Sequence, residues 1–157
     1  MAIKSRYDVA ADRMRLELQA AEGASQAYWF SRRQWLALLW RLRAVVQELG
    51  LLPTAPVPAK GLRPRPPQPI EAGAAEPVMV DGIRLKVEGE GAQLILVIGK
   101  QGRGIKLPAA GVKKFEEMVL MQAERAGWDP QAALQRLKAT MVARSAMNRA
   151  SRNSRPE

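Results

Sequence analysis

The sequence predicts an α+β protein: an antiparallel sheet of about five strands in two related strand–strand–helix halves, with helices on one face and a basic helix at the C-terminal end. Three observations lead there. Runs of period-two alternation precede runs of helical period. Seven prolines crowd into PTAPVPAKGLRPRPPQP (53–69) and split the chain. VAADRMRLEL (9–18) matches VMVDGIRLKV (78–87) at Val, Asp, Arg and Leu, as a degenerate duplication would. The resulting boundaries are 1–52 for the N-terminal half and 53–76 for a proline-rich linker. A second sheet–helix half follows over 77–128, then a basic helix and tail over 129–157.

In the first half, Met14, Leu16 and Leu18 alternate with Arg15, Glu17 and Gln19, the pattern of a half-buried strand. A second strand spans Ala27–Phe30, with Tyr28 and Phe30 on one face and Trp29 on the other. Ser31 is then an N-cap, Gln34 completes a capping box, and Phe30 with Trp35 occupies the staple positions. The helix carries a stripe of Trp35, Leu38, Leu39, Leu42, Val45, Val46 and Leu49, and Gly50 and Pro53 end it. Leu36 and Trp40 widen that stripe, so the helix is expected to be buried on two sides, by the C-terminal segment or by another copy of the chain.

The linker is too rich in proline for helix or sheet and favours extended polyproline geometry. Beyond it, Ile83, Leu85 and Val87 alternate with Arg84, Lys86 and Glu88. EGEGAQ (88–93) is a turn, and QLILVIGK reads as a central strand. GKQGRG (99–104) reads as a second turn whose glycines supply positive φ, before a short strand at Ile105–Leu107. A second helix begins near Pro108, turns Val112, Phe115, Met118 and Val119 inward, and stops at Gly127. Asp129–Pro130 opens a third, carrying Leu134, Leu137 and Met141. Halves this small are expected to share one core or to dimerise.

Composition narrows the chemistry. The chain has no cysteine and no histidine, which removes thiolate and imidazole ligands, nucleophiles and bases. The expectation is a protein that is not an enzyme and holds no cofactor or metal. EGE (88–90) and Glu116–Glu117 are the close acid pairs, the first in a turn and the second on the outer face of a helix. The opening MAIKSRYDVAADR lacks the apolar run of a secretory signal, and no run of about 18 uncharged apolar residues occurs. A cytoplasmic protein without a transmembrane segment is expected.

Net charge is +10, and residues 131–157 hold six basic residues against one acidic. Such a balance favours polyanions. Arg32 and Arg33 stand in the first helical turn, where the helix dipole disfavours cations by about 0.3–1 kcal/mol. A bound phosphate would reverse that cost. Trp29, facing away from the core beside them, suits base stacking. Lys100 and Arg103 lie on the GKQGRG turn. Arg136, Arg144, Arg149 and Arg152 lie in the tail, where arginine outnumbers lysine. In layout, with FSRRQWLALL and IKLPAAGVKKFEEM at strand-to-helix junctions, the chain resembles the positive-cofactor, Whirly and PUR single-strand-binding modules.

The leading expectation is a non-enzymatic nucleic-acid-binding protein, single strands favoured, using those arginines, Lys100 and Trp29. The alternative is an adaptor that binds protein partners through Leu36, Trp40 and PxxP spacings at Pro53–Pro56 and Pro64–Pro67.

Overall fold

The computed structural model describes residues 2–19, 25–52 and 76–132, and beyond those 135–136, 139, 143–144 and 146–147. The strands are β1 (Ala2–Asp8), β2 (Arg13–Gln19), β3 (Ser25–Phe30), β4 (Val78–Met79), β5 (Gly82–Glu88), β6 (Gly91–Ile98) and β7 (Gln101–Leu107). Helix α1 spans Arg32–Glu48, between β3 and β4, and α2 spans Ala109–Arg125, after β7. The α+β class stands. The five-strand sheet does not: four strands in the order β1–β2–β3–β4 form one sheet, and β5–β6–β7 form another.

Two strands and part of a third escaped the sequence reading for identifiable reasons. In β1 the inward position between Ile3 and Tyr7 is Ser5, which breaks the apolar alternation. The strand is held instead by a seven-residue antiparallel register with β2, from Ala2↔Gln19 to Asp8↔Arg13. β4 is two residues long and lies parallel to β3 at Tyr28↔Val78 and Trp29↔Met79. In β7, Gly102 and Gly104 belong to the strand, not to a turn. The hairpin is Gly99–Lys100 alone, with Gly99 at φ 60°.

The segment from β4 to β5 leaves one sheet and enters the other across Val80 and Asp81. Val80 donates its N–H to Trp29 O (3.1 Å), and Asp81 donates to Val97 O (2.9 Å). The order strand–strand–strand–helix therefore occurs twice, as β1β2β3α1 and β5β6β7α2. This order sets β2 opposite β6. The likeness between residues 9–18 and 78–87 sets β2 opposite β5 instead, so it does not follow the repeated order.

Both helices end alike. Gly50 (φ 73°) donates to Gln47 O and Leu51 to Val46 O; Gly127 (φ 75°) donates to Glu124 O and Trp128 to Ala123 O. These are Schellman motifs, which need a left-handed residue that glycine adopts without penalty. At the start of α1 the capping box is complete: Ser31 Oγ accepts from Gln34 N at 3.2 Å, and Gln34 Oε1 accepts from Ser31 N at 2.9 Å. The same Gln34 donates from Nε2 to Val80 O, tying the helix entrance to the sheet crossover. Pro108 caps α2 with no side-chain hydrogen bond.

One hydrophobic cluster joins the halves. Met14, Leu16, Leu18, Tyr28 and Phe30 from one sheet meet Ala92, Leu94, Leu96, Ile105 and Leu107 from the other, with both helices among them. The shared core that the sequence allowed for is present. Helix α1 packs against α2 and β5, while α2 packs against β1 and β6. Trp35, fully buried, crosses the boundary: its indole stands edge-on to Phe30 (5.3 Å, 77°), as the staple requires, and Nε1 donates to Val119 O at 3.0 Å. Burial of a side chain that size stabilises by ~3 kcal/mol or more.

Glu116 is not on an outer face. It is fully buried between the helices, with Oε1 3.9 Å from Arg43 Nε and Oε2 3.4 Å from Lys113 Nζ. The FEEM pattern misleads because α2 is covered by α1 on a second side.

Candidate nucleic-acid interface

The sheet faces turned away from the core are built by the same alternation that builds the core. With Met14, Leu16 and Leu18 inward, Arg13, Arg15, Glu17 and Gln19 must face out. The register places Arg6 opposite Arg15, Arg15 opposite Trp29, and Trp29 opposite Met79, a single row across four strands. Neighbouring strands lie about 4.8 Å apart, so this row spans roughly 15 Å. Asp8↔Arg13 and Lys4↔Glu17 flank it. The face thus carries four cations, two acids and an indole. Lys4 and Arg13 are exposed, Arg6 and Trp29 half-buried, and Arg15 only 5% exposed. Trp29 stands where alternation predicts.

The second sheet offers Arg84, Lys86 and Lys106, all exposed, around Gln93, Ile95 and Val97. Gly102 and Gly104 of β7 have a steric reason. A Cβ at Gly102 would come within 3.1 Å of Ile95 Cγ2, and one at Gly104 within 3.0 Å of Gln93 Nε2. Both neighbours therefore occupy the space that a side chain on β7 would fill.

Several expected site residues are placed differently from the sequence reading. Arg32 is exposed, but its guanidinium sits 5.9 Å above the centre of the Trp128 ring. Trp128, 3% exposed, meets Tyr7 edge-on at 5.3 Å and 80°. The first arginine of α1 thus covers a buried indole, a cation–π contact worth about 0.5–1 kcal/mol at an exposed site. That offsets the dipole cost from within the chain. Arg33 is exposed. Among the described residues no acid lies within ion-pair distance of either arginine. The Tyr7 hydroxyl donates to Asp12 Oδ1, and that bond, then burial, raises its pKa, with Arg32 opposing.

Lys100 is exposed at its hairpin. Arg103 is half-buried and donates to Gln26 Oε1 of β3, which also accepts from the Tyr28 hydroxyl at 2.6 Å. Burial raises the Tyr28 pKa, with Arg103 opposing. Arg136 and Arg144 are exposed and helical; Arg149 and Arg152, like the linker, lie outside the described residues, as do Leu134, Leu137 and Met141. Asp129 does cap the segment that follows, accepting from Ala132 N at 3.1 Å. Leu36 is buried in the chain's own core and Trp40 packs half-buried against it, so the apolar breadth of α1 is covered from within.

The sequence reading passed over Lys4, Arg6, Arg13, Arg15, Arg84, Lys86 and Lys106. The signal was present: each is the polar partner in an alternation used only to find the core. Among the described residues no three acids, histidines or cysteines are grouped to hold a metal ion, and no helix is long and apolar enough to cross a membrane. Comparison with family models, curated proteins and solved structures returned no match.

Proposed function

We propose that this chain is a non-enzymatic nucleic-acid-binding protein that engages single strands on its outward sheet faces. The observation that carries the reading is the row Arg6–Arg15–Trp29, which sets guanidinium groups beside a half-buried indole on the sheet face turned away from the shared core. Phosphates would meet Lys4, Arg6 and Arg13, one base would stack on Trp29, and Arg15 would fix the indole from below. Arg84, Lys86 and Lys106 extend the cationic surface to the second sheet. Arg33, Lys100 and the tail arginines Arg136, Arg144, Arg149 and Arg152 add attraction without base readout.

Fluorescence anisotropy with labelled single- and double-stranded oligonucleotides tests this. Affinity should fall steeply between about 50 and 200 mM salt, with a log–log slope of about −0.7 per phosphate neutralised on a single strand. Replacing Lys4, Arg6 and Arg13 with glutamine should flatten that slope. If no oligonucleotide binds at low salt, the reading is wrong. For the adaptor alternative, Leu36 is buried and Trp40 half-buried within the chain, and the PxxP spacings at Pro53–Pro56 and Pro64–Pro67 lie outside the described residues.

A further inference from the structure

Between the edges of the two sheets, β3 and β4 on one side and β7 on the other, lies an open groove of about 780 Å³. Its polar groups converge. Gln26 Oε1 accepts from both the Tyr28 hydroxyl and the Arg103 guanidinium, which fixes the amide so that Nε2 turns its two N–H donors elsewhere. Tyr28, having donated, keeps acceptor capacity on its oxygen, and Arg103 keeps further N–H donors. Glu76 adds an acceptor at the margin, and Val78 and Ile98 supply apolar walls. One cation and one acid leave the groove near neutrality. A bare phosphate is therefore a poor match. A flat, uncharged ring with donors and acceptors around its edge is a good one.

We propose that this groove receives a nucleobase, read along its hydrogen-bonding edge by Gln26, Tyr28 and Arg103. The inference rests on the nucleic-acid reading and adds to it a source of base preference, which the phosphate contacts of the open faces do not provide. The volume lies within the 300–1,000 Å³ or so typical of small-molecule sites and leaves room for the attached sugar. Burial favours the neutral Tyr28 phenol, the form that donates to Gln26. A base held here would sit beside strand β3, whose Trp29 lies on the other face of the sheet, so one nucleic-acid strand passing over that edge would be gripped at both places.

The test uses the full ¹⁵N-labelled chain titrated with adenosine, cytidine, uridine and, separately, inorganic phosphate. At least one nucleoside should shift the Gln26 side-chain amide and the backbone amides of Gln101–Gly104 saturably, while phosphate at equal concentration leaves them in place. Homopolymer oligonucleotides should differ in affinity by about tenfold for the native chain. Gln26→Ala, at an exposed position, should reduce that spread to about twofold with the salt dependence unchanged; Arg103→Lys, which keeps the charge and loses the fork, should do the same. Groove amides unmoved by every nucleoside, or moved by phosphate alone, would overturn the pocket. So would a spread that survives both substitutions while oligonucleotides still bind. If an extended peptide moves those amides and no nucleoside does, the groove is a peptide site. Failure of every oligonucleotide to bind would instead remove the underlying function.

Discussion

The two strand–strand–strand–helix units of this chain are alike in what holds them and unlike in what they display. Each ends its helix in the same glycine-based motif, and each contributes a sheet face to the common core. Outside the core they diverge. Counting back from the strand–helix junction, Trp29 of β3 stands where β7 has Lys106, so the aromatic belongs to the first unit alone. The first helix has a full capping box and the second begins at Pro108 without one. Both tyrosines of the chain lie in the first unit. The repeated order fixes the scaffold, and the residues on which the functional reading depends are concentrated in one copy of it.

The largest effect tests the likeness. Trp35 fills the core of the first unit and hydrogen-bonds a backbone carbonyl of the second. Trp35→Ala should cost ~3–5 kcal/mol and unfold both units in one transition, as read by urea denaturation followed at two probes. Two separate transitions would mean that the shared core is not the unit of stability.

Next comes the difference in display. Trp29→Ala should weaken single-strand binding by about 5- to 150-fold, the worth of one stacked base. Lys106→Gln, at the corresponding place, should cost only the few-fold expected of one phosphate contact, and that loss should vanish at high salt. Equal losses from both would show that charge, not stacking, governs the interface. The melting temperatures of both variants separate binding from folding.

The capping contrast predicts a smaller, opposite-signed pair. Ser31→Ala removes the acceptor for Gln34 N and should cost about 1 kcal/mol. Pro108→Ser gives α2 the side-chain oxygen it lacks and should recover a few tenths of that amount. Thermal melts of the two single variants and the double variant check both signs and their additivity.

How much of this was legible beforehand depends on whether the signal was local. The capping box, the staple pair and both helix-ending glycines are set by residues within a few positions of each other, and each is found as expected. The outward direction of Trp29 follows from its two neighbours in the strand. β1, β4 and the division into two sheets depend on partners far along the chain: Ser5 interrupts the alternation of β1, yet β2 supplies its register. Glu116 looks like a solvated residue until α1 lies against it. At the candidate site, Arg32 is the instructive case. Its place in the first helical turn suggested an anion, whereas its guanidinium rests on Trp128, 96 residues away in sequence. The basic residues of the sheet faces were overlooked for another reason: alternation was used to find what is buried, not what its opposite side presents.

The smallest expected effect concerns alkaline pH, and it isolates the first unit. Tyr7 has its pKa raised above the ordinary 10.0, first by its hydrogen bond to Asp12 and then by burial; Tyr28 is raised by burial. In both, folding favours the protonated phenol. That contribution is therefore complete below the unfolded value near 10 and is lost as pH rises through the higher folded values. Because these are the only tyrosines, absorbance near 295 nm reports their ionisation without interference from the second unit. Tyr7→Phe should remove one of the two late-titrating steps, soften the alkaline fall in stability, and lower stability at neutral pH by about 0.5 kcal/mol through the lost bond to Asp12. If the remaining step in Tyr7→Phe and in Tyr28→Phe titrates at the value of free tyrosine, neither phenol is held as the structure places it. The hydroxyl of Tyr28 would then no longer be available to orient Gln26, and the groove would lose the group that fixes its amide.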